Sequence, residues 1–123
     1  MTKFNSIEIK PTTEVDIIEF FGAPLNITIK GYSVYWRGEL SAIVGVTIHR
    51  GHKEFFCDVR EGINPPKQTV WRAAKMVMEK FKQEKIKVFS IADDDIPGSD
   101  RFLQALGFEY AGEFNNMKHY RLG

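Results

Sequence analysis

Between Leu25 and Arg60 the chain passes through three β-rich segments with only short turns between them. Leu25, Ile27 and Ile29 alternate with polar residues, and Tyr32-Ser-Val-Tyr-Trp36 follows. Arg37-Gly38 turns the chain into the Val- and Ile-rich run Leu40 to His49, and His49-Arg50-Gly51-His52 turns it again into Glu54 to Arg60. Strands joined so tightly pair antiparallel with their neighbours, because a parallel pair needs a crossover of about a dozen residues or more. The centre of the fold is therefore a β meander.

The flanks mix helix with strand. Phe4 to Lys10 puts Asn5, Ile7 and Ile9 on one face of a short strand that Pro11 ends. Thr12 or Thr13 then caps a short helix, with Glu14 and Asp16 near the positive end of its dipole. Val15, Ile18 and Phe21 (or Ile17 and Phe21) give that helix an apolar side, and Gly22 stops it. After the loop from Glu61 to Thr69, Val70, Ala73, Ala74, Val77, Met78 and Phe81 fall at helical spacing on one broad face, predicting a long helix to about Glu84. Lys85 to Ala92 reads as a buried strand. Ser99 caps a short helix carrying Phe102, Leu103 and Leu106, and Gly107 ends it. Phe108 to Phe114 and Met117 to Leu122 are strands joined at Asn115-Asn116.

The predicted order is β-α-β-β-β-α-β-α-β-β, an α/β (α+β) chain forming one domain over residues 1–123. Its sheet is mixed and mostly antiparallel, with a central parallel β-α-β crossover and flanking helices. A sheet of this kind splays where its parallel pair meets the meander, and a cleft forms there.

Composition narrows the function. With 17 basic against 16 acidic residues the net charge is +1, which carries no electrostatic footprint for nucleic acid. No stretch approaches the roughly 20 apolar residues that span a bilayer. The first ten residues lack the apolar centre of a secretory leader, and Cys57 is the only cysteine, so a cytoplasmic location is expected. His49, His52 and His119 do not follow a metal-ligand spacing, and Asp93-Asp-Asp95 lacks the spacing of a calcium loop, so no metal is expected.

Phe102-Leu-Gln-Ala-Leu-Gly-Phe108, then Glu109 to Phe114 and the closing Tyr120-Arg-Leu122, resemble the end of the GNAT (GCN5-related N-acetyltransferase) fold. The order of elements is similar from about Tyr32 to Leu122. The resemblance implies acetyl-CoA bound at the splayed strands, its pyrophosphate at the start of the long helix, and an amine as acceptor. Two places depart from the family. Where it has a Gly-rich loop, this chain reads Asn64-Pro65-Pro66-Lys67-Gln68-Thr69, and two prolines remove two backbone donors. Where many members place a tyrosine that protonates the thiolate, Leu103 stands. Some tailed phages encode small GNAT-like proteins of the virion interior or head assembly that are similar in Val70-Trp71-Arg72 and in the Phe102-Leu103 to Gly107 step. The alternative reading is accordingly a noncatalytic phage structural or assembly protein, with virion proteins as partners.

Candidate site residues follow. Glu54 and Asp58 share one face of their strand by period two, where a carboxylate can take a proton from an amine. Tyr120 is a proton donor if it points into the cleft. Lys67 and Arg72 lie within reach of the helix N-terminus and suit phosphate. Gln68 adds a side-chain contact, Thr69 a cap for the helix, and Val59 a place at the end of the cleft strand. Cys57, on the opposite face from Asp58, reads as a small buried hydrophobe, and Trp71 as core packing in preference to stacking on a base.

Overall fold

The computed structural model describes residues 7–63, 65–83, 87–92 and 98–122. In chain order the elements are β1 (Ile7–Pro11), α1 (Glu14–Phe21), β2 (Thr28–Trp36), β3 (Glu39–His49), β4 (His52–Val59), α2 (Lys67–Gln83), β5 (Val88–Ile91), α3 (Ser99–Ala105), β6 (Glu109–Phe114) and β7 (Met117–Leu122). The strands form one seven-stranded sheet in the order β1-β2-β3-β4-β5-β7-β6. Every pairing is antiparallel except β4 with β5. The predicted element order and the parallel crossover are both present.

Three hairpins close through left-handed pairs: Arg37 and Gly38, Arg50 and Gly51, Asn115 and Asn116 all have positive φ. Such primed turns match the right-handed twist of the strands they join. At the middle of the β2–β3 ladder, Gly31 faces Gly45. A Cβ on Gly31 would lie 2.2 Å from the Val44 carbonyl oxygen, so the two backbones meet where only glycine fits.

α2 lies on one face of the sheet. Its buried residues Val70, Ala73, Ala74, Val77, Met78 and Phe81 join Val34, Ala42, Val44, Val46 and Phe55 in the main core, as their helical spacing predicts. Trp71 packs against that core, its ring edge-on to Phe102 of α3 at 5.5 Å.

α1 lies on the other face, and its orientation goes against the apolar side of Val15 and Ile18 and suits the alternative of Ile17 and Phe21. Val15 and Ile18 are 73% and 43% exposed, while Asp16 is buried. Thr13 is the cap: its side chain accepts from the Asp16 amide and Asp16 accepts from the Thr13 amide, a capping box. The same Asp16 carboxylate accepts from Ser33 Oγ at 2.9 Å and from the Tyr35 hydroxyl. These bonds turn Asp16 inward, which leaves Val15 and Ile18 outside and Ile17 and Phe21 half-buried.

Two other helix starts also differ from expectation. α2 begins at Lys67, not after a cap at Thr69. The Pro66 carbonyl accepts from the Thr69 and Val70 amides at 2.9 and 3.4 Å, and proline is pre-organised for a helix start. α3 is preceded by Gly98 in the left-handed region, and Ser99 is its first residue. The end of α3 is as predicted: Gly107 has φ 103°, its amide donates to Gln104 O, and the Phe108 amide donates to Leu103 O at 3.0 Å. This Schellman motif closes with Leu103 and Phe108 in the same core. The predicted strand residues Phe4 to Ser6 and Lys85–Ile86, and the loop residues 93–97, lie outside the described residues.

Candidate functional site

β4 and β5 touch through one register pair, Glu54 beside Phe89. Just beyond it, Ser90 Oγ donates to the Phe55 carbonyl at 3.2 Å. From there the two strands part. β5 continues against β7, with Ile91 beside His119 and the Ala92 amide on Lys118 O. β4 continues against β3, with Cys57 beside Val44, Asp58 beside Ile43 and Val59 beside Ala42. The last residues of β4 thus have an open edge among the described residues.

Backbone alternation decides what that edge offers. The Arg60 amide donates to Ser41 O across β3, so in an antiparallel ladder the groups of Asp58 also face β3. Those of Cys57 and Val59 face the gap, as Phe55 does where its carbonyl meets Ser90. A sheet edge at a topological switch point, outside the C-terminal ends of parallel strands, is where open α/β sheets bind ligands. Val59 itself is 48% exposed there.

The chain next reaches α2. Lys67, Gln68 and Arg72 are exposed at its start, and the Lys67 and Gln68 amides take no hydrogen bond among the described residues. Two free amides, the positive helix end and two cations make a setting for an anion. Thr69 is 5% exposed and faces inward. A cavity of about 380 Å³ has none of the β4–β5 gap residues in its lining. Trp36, Arg37 and Glu39 of the β2–β3 turn line it with Gly62 and Ile63.

The three candidate proton carriers do not share a face. Glu54 and Asp58 lie on the side away from α2. Burial raises the Asp58 carboxyl above the ordinary aspartate range, although part of its surface is open. Tyr120 pairs with Ser90 on the α2 side and is 2% exposed, its ring edge-on to Tyr110 at 5.7 Å. Burial and then the Asp100 charge push its phenol up, against Lys118. Cys57 packs against the core, and burial, with Asp58 adding to it, pushes its thiol up to about 12. It is a protonated, weakly reactive thiol, as its sequence setting suggests. Among the described residues no three His, Cys, Asp or Glu side chains gather as a metal site, and no helix is long and apolar enough to cross a membrane.

No protein-family profile matches the chain, and no curated protein matches it. Solved structures do. An N-acetyltransferase from Staphylococcus aureus Mu50 superposes with a TM-score of 0.71 at 11% identity, over 96% of this chain and 98% of the other. The chain has the GNAT acetyltransferase fold. The ribosomal-protein-S18-alanine N-acetyltransferase from Escherichia coli gives a TM-score of 0.68 at 7% identity, covering 95% of this chain and 93% of that one. A Bacillus subtilis acetyltransferase solved in complex with CoA gives 0.66 at 14%, covering 95% and 98%. The GNAT fold is thus present over nearly the whole chain, with Leu103 spent on the Schellman closure of α3.

One residue of this face was not singled out for acyl transfer from sequence. His119 has an enclosed Nε2 with no hydrogen-bond partner. Its period-two position in β7 was visible, but only the β5–β7 register puts it on the same side as Glu54 and Asp58.

Proposed function

We propose that residues 1–123 act as one acetyl-CoA-dependent N-acyltransferase domain acting on an amine. The observation that carries the reading is the parting of β4 from β5 after Glu54 and Phe89, which opens the Cys57 and Val59 backbone groups toward a gap that leads to the start of α2. The residues present fit the cofactor. The edge groups of Cys57 and Val59 suit an extended amide chain, which adds to a sheet edge as a strand would. Lys67, Arg72 and the Lys67 and Gln68 amides suit a pyrophosphate. Pro65 and Pro66 make this an altered form of the family's loop, with cations taking the place of lost backbone donors.

Acetyl-CoA supplies the thioester whose acyl group is transferred. Asp58 or Glu54 takes a proton from the acceptor ammonium, freeing the nitrogen lone pair that attacks the acyl carbon. The C–N bond would form as the C–S bond breaks, and the nitrogen would lose its second proton to solvent. The Val59 amide would polarise the acyl oxygen, and the departing thiolate would take a proton from water or from Tyr120, which solvent would then reprotonate.

Isothermal titration with acetyl-CoA, using desulfo-CoA as control, tests the reading. Micromolar binding that weakens about tenfold in Lys67→Ala or Arg72→Ala supports it. No binding at millimolar ligand sinks it. The phage-assembly alternative rests on Val70-Trp71-Arg72 and the Phe102 to Gly107 step; Trp71 and Phe102 pack against each other here, which is a structural use of both. Co-purification with virions would favour that alternative.

A further inference from the structure

Trp36 and Glu39 are partners across the two-residue turn Arg37-Gly38. Strand alternation puts both on the α2 side, because Tyr35 reaches Asp16 on the α1 side. The chain returns to them after β4. The Arg60 amide donates to Ser41 O, Gly62 turns at φ 85°, and the Ile63 amide donates to Arg60 O at 3.4 Å. Between the hairpin tip and this turn lies the cavity of about 380 Å³, lined by Trp36, Arg37, Glu39, Gly62 and Ile63. Its volume falls in the range of small-molecule sites, about 300–1,000 Å³. The hairpin is on the side of β4 away from β5, and none of Cys57, Val59, Lys67, Gln68 or Arg72 lines the cavity.

Three kinds of group meet there. Trp36 supplies a flat aromatic surface, with the Arg37 guanidinium 4.8 Å from its ring centroid. A guanidinium held over a ring still offers N–H donors around its rim. The Glu39 carboxylate supplies acceptors only. Arg37 and Glu39 carry opposite charges two residues apart, yet they make no ion pair with each other, and neither side chain has a hydrogen bond to a described residue. Opposite charges beside one cavity, not engaged with each other, suit a flat ligand that carries donors on one edge and acceptors on another.

We propose that this cavity binds the guanine base of a free nucleoside or nucleotide. The base stacks on Trp36 and is flanked by Ile63. Guanine N1–H and its N2 amino group donate together to the Glu39 carboxylate, and O6 and N7 accept from the Arg37 guanidinium, so both charges gain paired bonds. Adenine carries an amino group where guanine has O6, and it lacks N1–H and the N2 amino group, so it satisfies neither side chain fully. A net charge of +1 gives no footprint for a polymer, which points to a free ligand. The site goes beyond the acyltransfer reading and does not rest on it.

The test is isothermal titration of the full chain with guanosine, which has no phosphate to seek the start of α2, with adenosine and inosine as controls. Guanosine is expected to bind and to quench tryptophan fluorescence, and Trp36→Phe should abolish the quench. Inosine, which lacks the N2 amino group, should bind about tenfold more weakly, and adenosine more weakly still. Arg37→Asn, which suits the positive φ of the turn, and Glu39→Gln should each weaken guanosine binding about tenfold, while Lys67→Ala leaves it unchanged. The nucleoside comparison needs no variant, so it stands even where a hairpin substitution disturbs folding. No guanosine binding at millimolar concentration, equal binding of adenosine or inosine, a quench that persists in Trp36→Phe, or unchanged affinity in either charge variant overturns the proposal. Displacement of guanosine by acetyl-CoA also overturns it, since the cavity is then part of the cofactor site. Guanosine binding without acetyl-CoA binding retires the acyltransfer reading alone, and acetyl-CoA binding without guanosine binding retires this proposal alone.

Discussion

Glu54 lies beside Phe89 in the one parallel register pair among the described residues, and β4 and β5 separate beyond it. The separation puts Asp58 next to open space while the protein around it still raises its carboxyl. Only the ionised carboxylate accepts a proton, so kcat/KM for acetyl transfer should climb as pH rises through the elevated Asp58 ionisation. Asp58→Asn should lower kcat/KM by roughly 100-fold and leave acetyl-CoA binding within about twofold. If Glu54→Gln causes the loss instead, the base is Glu54.

Asp16 anchors α1 to the sheet: its carboxylate accepts from the Thr13 amide, the Ser33 hydroxyl and the Tyr35 hydroxyl, while its own amide donates to Thr13 Oγ1. Burial works against its charge, but the bonds from Tyr35, Thr13 and Ser33 outweigh burial and hold its carboxyl below the ordinary aspartate range. A lowered native value means stability that is complete above about pH 4 and is lost as pH falls through that native value. Asp16→Ala should cost about 2 kcal/mol in urea unfolding at pH 7, and the gap from wild type should shrink at pH 2–3. The same pair of side chains holds the Tyr35 phenol up to about 12, so its share of the stability is present below pH 10 and fades as pH rises toward 12.

Gly31 has no room for a methyl group: the added Cβ would sit 2.2 Å from Val44 O and 2.5 Å from Gly45 Cα, both backbone atoms that cannot step aside. Gly31→Ala should destabilise by about 3 kcal/mol or more. Gly31→Ala melting within a degree or two of wild type would contradict the β2–β3 register.

Arg50 holds φ 51° in the β3–β4 turn, followed by Gly51 at 79°. Asparagine tolerates the left-handed region better than arginine, and Asn-Gly is the favoured pair for this turn. Arg50→Asn should stabilise by about 0.5 kcal/mol, roughly 2–3 °C in Tm.

Cys57, with its thiol at about 12, should resist iodoacetamide at pH 8 in the native state and react at once in 6 M urea. Rapid native alkylation would show that the open edge of β4 admits solvent to its α2 face.

Much of this architecture is local chemistry. Arg37-Gly38, Arg50-Gly51 and Asn115-Asn116 mark the hairpins because those residues accept or tolerate positive φ, and the spacing from Val70 to Phe81 makes α2 amphipathic whatever it meets. Leu103-to-Phe108 closes α3 through bonds within six residues. The element order, the parallel crossover and the location of the gap all follow from such signals, and so does the candidacy of Glu54 and Asp58, since period two places them on one face.

The rest depends on partners far away in sequence. α1 faces the sheet with Asp16 because Ser33 and Tyr35, 17 and 19 residues on, offer it hydroxyls; nothing within the helix says that Val15 should be left in solvent. Tyr120 and His119 are neighbours in the chain, yet one is sealed on the α2 side and the other shares a face with Glu54, a division made by the register of β7 on β5. By itself the sequence determined which segments are strand or helix and where they turn, because those preferences are set within a few residues. Only the tertiary structure decided which faces meet and which polar atom stays unpaired, because burial and hydrogen bonding are settled between segments that the chain brings together from far apart, as Asp16 and Ser33 are at 17 residues and Ser90 and Phe55 at 35.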